Sequence, residues 1–73
     1  MILAEVKNIF NEVMGLSDEE MTLESHIYDD LDADSLDMSQ IFLGLENKYD
    51  ISIDEEDSIE TIKDLVDYIG NRI

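Results

Sequence analysis

Seventy-three residues with twenty acidic side chains against four basic ones give this chain a net charge of −16 and a pI near 4.1, which excludes nucleic acid and anionic membranes as partners. The length suits one domain, residues 1–73, able to bury only about 60% of its unfolded surface. Without cysteine, neither a disulfide nor a thiolate metal site supplements its core.

A hydrophobic fraction of 44% in helical spacing argues against disorder. No run approaches the ~20 apolar residues that cross a bilayer, and no charged-then-apolar leader precedes the first helix. The expectation is therefore a soluble, cytoplasmic monomer.

Leu3, Val6, Phe10 and Val13 recur at spacings of three and four, with Ile2, Ile9 and Met14 widening the stripe, so the chain opens on an amphipathic helix. Gly15 stops it as a left-handed C-terminal cap. Ser17 and Glu20 match a capping box, but no stripe follows, which limits the next segment to one turn near Asp18 to Thr22.

Residues 23–33 read as a long loop anchored by Leu23, Ile27 and Leu31 at every fourth position. His26, the only histidine, reads as a solvated loop residue. From Ser35 to about Tyr49 the spacing of Met38, Ile41, Phe42, Leu45 and Tyr49 predicts a second helix with one core face. Leu36 and Leu43 then turn outward with Asp37, Ser39, Gln40, Gly44 and Asn47, and exposed leucines among carboxylates have the composition of a docking face. Gly44 costs the helix about 1 kcal/mol relative to alanine; it either admits a partner closely or is merely tolerated.

Ile51 and Ile53 alternate with polar residues, but a lone strand has nothing to pair with, so they are expected to insert into the core from an extended connection. A short acidic helix is expected over Asp54–Glu60. Thr61 and Asp64 cap a last helix whose inner face is Ile62, Leu65, Val66, Ile69 and Ile73. Short connections and the absence of proline favour an all-α fold: a small antiparallel up-and-down four-helix bundle, three main helices and one short one, with a long first loop.

The chemistry concentrates at Asp34-Ser35-Leu36-Asp37, where loop becomes helix. Asp34 caps the helix, leaving the Ser35 hydroxyl free at the positive end of the dipole, a position that holds phosphate groups. A hydrolase nucleophile would need a base and small flanking residues; the only histidine lies nine residues upstream, and the flanks are Asp34 and Leu36. Asp30, Asp32 and Asp34 have the one-three-five spacing of a calcium loop, but Ser35 stands where glycine is needed and Ile41 where a bidentate glutamate is needed. No specific metal site is expected, only weak divalent binding at those three aspartates.

Leu31-Asp32-Ala33-Asp34-Ser35-Leu36-Asp37 resembles the attachment motif of the acyl carrier proteins, and the likeness in length, element order and charge extends over nearly the whole chain. The resemblance implies a non-enzymatic carrier with a phosphopantetheine arm, joined to Ser35 between Asp34 and Leu36, that holds acyl groups as thioesters. It implies as partners a phosphopantetheinyl transferase and synthases with basic patches. They would meet a docking face of Leu36, Asp37, Ser39, Gln40, Leu43 and Glu46, with Asp30 and Asp32 beside it.

A cavity for acyl chains would be lined by residues such as Phe42, Leu45, Ile53, Ile59 and Ile62. Asp32 stands where such carriers usually have glycine, Ser39 where they have an apolar residue, and Gln40 where they have glutamate. Fatty-acid synthesis is the leading pathway. A specialised carrier for polyketide, non-ribosomal peptide or D-alanyl transfer is the alternative, and an unmodified acidic interaction module is the rival of another class.

Overall fold

The computed structural model describes residues 2–54 and 56–73. Three helices account for its regular structure: α1 (Ile2–Met14), α2 (Ser35–Tyr49) and α3 (Ile62–Gly70). Among the described residues there is no strand, only an isolated antiparallel bridge between His26 and Thr61. The radius of gyration, 10.8 Å, is close to the ~11 Å expected of a compact chain this long.

α1 buries Val6 and Phe10 and packs against both other helices. Its end follows from Gly15, which adopts φ +73° and donates its N–H to the Asn11 carbonyl at 2.8 Å; a side chain there would strain the left-handed turn. The following turn is one short 3-10 element, Asp18–Glu20. α2 spans the residues its spacing predicts and buries Met38, Ile41, Phe42 and Leu45. Its C-terminal cap, Asp50, is left-handed at φ 55° and donates its N–H to the Glu46 carbonyl.

The loop between α1 and α2 is held by more than its apolar anchors. Ile27 and Leu31 are buried and Leu23 packs against the core, but Met21 and Ala33 are buried too. The backbone is also stitched to the start of α3: Ile27 N–H donates to the Glu60 carbonyl at 2.8 Å, Lys63 N–H to Leu23 at 2.9 Å and Ile62 N–H to Ser25 at 3.1 Å. Such bonds leave no side-chain pattern to read in advance.

Four expectations need correction. Gly44 does not face outward: a Cβ built on it would lie 3.1 Å from Ile9 Cδ1, so the missing side chain admits α1. The segment after Ile53 forms no full helix. It makes one 3-10 turn, Glu56–Ser58, after which Ile59 is buried; Glu55, in the expected helix, lies outside the described residues. Ile73 is 62% exposed, because α3 ends at Gly70 and the inner face stops at Ile69. His26 is half-buried and hydrogen-bonded rather than solvated.

Candidate functional site

Ser35 is the first residue of α2, and the helix begins there because the residue before it is an efficient cap. Asp34 has extended backbone, and its Oδ1 accepts the Asp37 N–H at 2.8 Å, while the Asp37 carboxylate accepts the Asp34 N–H at 3.3 Å. This reciprocal pair satisfies two backbone donors that a helix start leaves without partners. The loop's approach is fixed on the other side: Leu31 and Ala33 are buried, and Asp32 between them takes φ 59°. The bend places Ser35 at the surface, exposed, with its carbonyl accepting the Ser39 hydroxyl at 2.9 Å.

The acidic residues nearby have separate tasks. Asp30 accepts the His26 N–H at 2.7 Å, and Asp34 and Asp37 cap α2. Asp32 is exposed. The one-three-five spacing of Asp30, Asp32 and Asp34 therefore does not gather them, and among the described residues no three carboxylates or histidines are grouped to hold a metal ion.

Leu36 and Leu43 are 68% and 58% exposed, seven residues apart on α2, with Ser39 and Gln40 exposed beside them. Asp37 and Glu46 are half-buried. Glu46 has a structural task, since its carboxylate accepts the Ile53 N–H at 2.7 Å and fastens the extended connection to α2.

Beside Ser35 lies a cleft of about 350 Å³. α2 contributes Ser35, Met38, Ser39 and Phe42; the loop contributes His26 and Tyr28; the opposite rim is Glu56, Asp57, Ile59 and Glu60. Of the lining expected from sequence, Phe42 and Ile59 are present. Leu45, Ile53 and Ile62 do not line it and are instead buried in the core. His26 and Tyr28 escaped the sequence reading because a polar ring in a loop carries no periodic signal.

His26 organises the loop next to the site. Its Nδ1 accepts the backbone N–H groups of Asp29 at 3.1 Å and Tyr28 at 3.3 Å, and its carbonyl accepts from Asp30 and Leu31. That nitrogen is thus engaged by the loop backbone. The Ser35 hydroxyl is exposed, at a rigid helix start and beside a cleft, so these residues fit a tethered phosphodiester whose formation another enzyme catalyses. A bound phosphopantetheine would supply the thiol on which an acyl group is carried; this chain has none of its own.

Similarity to known proteins agrees with that chemistry. The family model described as the phosphopantetheine attachment site matches residues 4–69. The acyl carrier protein of Streptococcus pyogenes serotype M1 is 43% identical over 71 residues, covering 97% of this chain and 95% of the relative. That of Lactococcus lactis subsp. cremoris (strain MG1363) is 39% identical over 70 residues, covering 96% and 94%. By motif, by length and by these matches, the chain belongs to the acyl carrier proteins, carriers rather than enzymes, whose prosthetic group is a covalently attached phosphopantetheine.

Proposed function

We propose that Ser35 bears the phosphopantetheine arm and that the protein, a single domain over residues 1–73, carries acyl intermediates of fatty-acid synthesis in the cytoplasm. The observation that carries this reading is the exposed Ser35 hydroxyl at the capped start of α2. Asp34 fixes that start, and Leu36 borders it on the exposed face. Tethering raises the cargo's effective concentration at each enzyme the carrier meets.

The docking face is the exposed side of α2, centred on Leu36 and Leu43 and continued by Ser39 and Gln40, with Asp30, Asp32, Asp37 and Glu46 adding negative charge. The partners are a phosphopantetheinyl transferase and acyl-handling synthases that present basic patches, since a carrier of net charge −16 is drawn to positive surfaces. Strong self-repulsion favours a monomer. The three helices run up and down antiparallel, with the Glu56–Ser58 turn in place of a short fourth helix.

Incubation with coenzyme A and a broad-specificity phosphopantetheinyl transferase tests the assignment by mass. One arm is expected on the wild-type chain and none on Ser35→Ala. Loading of the alanine variant would contradict it.

A further inference from the structure

The loop side of the cleft carries two rings, His26 and Tyr28, whose donors meet no acceptor among the described residues. His26 Nδ1 accepts two backbone N–H groups, an arrangement that suits the imidazole tautomer with its hydrogen on Nε2. The Asp29 carboxylate lies 3.8 Å from Nδ1, beyond hydrogen-bond reach.

Among the described residues the His26 Nε2–H meets no acceptor, and neither does the Tyr28 hydroxyl. Burial, with the Glu56 and Asp57 carboxylates adding to it, pushes the Tyr28 phenol up, so it keeps its proton. The two rings meet edge to face, 6.2 Å between centroids.

Both line the cleft that Ser35 lines, and the side chains of Glu56, Asp57 and Glu60 on the far rim are carboxylates, which when ionised only accept. An anion entering there is repelled. A neutral carbonyl oxygen is not, and it needs donors on the loop side.

We propose that His26 and Tyr28 are positioning residues that donate Nε2–H and O–H to a carbonyl oxygen of the group tethered at Ser35, either an amide of the arm or the thioester of its cargo. This rests on the Ser35 assignment above. His26→Ser keeps an oxygen that can accept the loop's N–H groups while removing the ring and its Nε2–H, and Tyr28→Phe keeps the ring while deleting the hydroxyl.

The test compares wild type and both variants by nuclear magnetic resonance in three forms: unloaded, loaded from coenzyme A, and loaded from butyryl-coenzyme A with labelled carbonyls. The expected result is Nε2 protonation with a bare Nδ1 in the unloaded protein, and several-fold slower exchange of the Nε2 hydrogen after loading. A shift of one carbonyl carbon is expected in wild type and lost in both variants. Appearance with the arm alone assigns an amide carbonyl; appearance only with butyryl assigns the thioester.

A protonated Nδ1 in the unloaded protein overturns the proposal, as do carbonyl shifts identical in wild type and variants in both loaded forms. A mass spectrum separates the two levels. Failure of wild type to gain any arm removes the Ser35 assignment and this proposal together, whereas a loaded protein without the carbonyl shift removes this proposal alone.

Discussion

Asp32 takes a left-handed backbone, φ 59°, at the bend that delivers the chain to Ser35. This conformation explains why glycine is usual at that place in the motif, since residues with a Cβ are strained there, aspartate less than most. Asp32→Gly is expected to stabilise the protein by up to about 1 kcal/mol, measured by urea unfolding. Asp32→Asn removes the charge but keeps the Cβ, so only the gain of glycine over asparagine reports the backbone; no gain would contradict the account. Gly44 is decided by a close approach rather than by its backbone angles, and its inward place is not legible in sequence because a residue without a side chain adds nothing to an apolar stripe. It lies three positions after buried Ile41, on the edge of the core face. Gly44→Ala gains helix propensity, about 1 kcal/mol, against a contact at 3.1 Å with the far end of the Ile9 side chain. That methyl can swing aside, so a net stabilisation below about 1 kcal/mol is expected. Gly44→Val, stiffer and larger, is expected to destabilise by on the order of 1–3 kcal/mol; a valine variant as stable as wild type would show that α1 does not press on this position.

α2 and α3 begin on the same device, and both starts were legible because capping boxes are written in side chains three residues apart. In α3, Thr61 accepts the Asp64 N–H at 3.1 Å, and the Asp64 carboxylate accepts the N–H groups of Glu60 at 3.0 Å and Thr61 at 3.1 Å. The Glu60 N–H chiefly, helped by Thr61, holds the Asp64 carboxyl below its ordinary value of 3.8, against burial that pushes it up. A carboxyl lowered on folding favours the ionised native state. Its contribution is therefore full above the unfolded value and is lost as pH falls below 3.8 through the folded one. Asp64→Asn is expected to narrow its stability deficit relative to wild type as pH is lowered through that window; a deficit constant from neutral pH to strongly acidic solution would contradict the role of the charge. The loop illustrates what residues do not announce. Its anchors Ile27 and Leu31 were visible as apolar spacing, whereas the stitching of residues 23–27 to residues 60–63 uses backbone groups that every sequence possesses. Likewise His26 was unreadable as a loop organiser, because the acceptor role of Nδ1 exists only once the chain has turned back toward it.

The charge of −16 acts on the molecule as a whole. The fold crowds carboxylates that the unfolded chain spreads apart, and the ion pairs that α1 makes, Lys48 with Glu5 at 2.7 Å and Lys7 with Asp18 at 3.5 Å, lie at the surface and offset little of this. Magnesium or sodium chloride is expected to raise the melting temperature by screening the repulsion; a temperature that stays flat or falls as magnesium is added would contradict this balance. The same charge, with a rigid helix start and an exposed serine, makes the protein a surface for other enzymes to work on rather than a catalyst. Those features were readable because they depend on residue types and short spacings. The cleft beside the serine depends on how three segments meet, and it was not. The claim on which all of this turns is the identity of the loaded residue, and fragmentation of the holo protein in a mass spectrometer tests it most directly. Of the serines at 17, 25, 35, 39, 52 and 58, the account predicts that Ser35 alone carries the phosphodiester. An arm found on any other residue, with Ser35 unmodified, would contradict it.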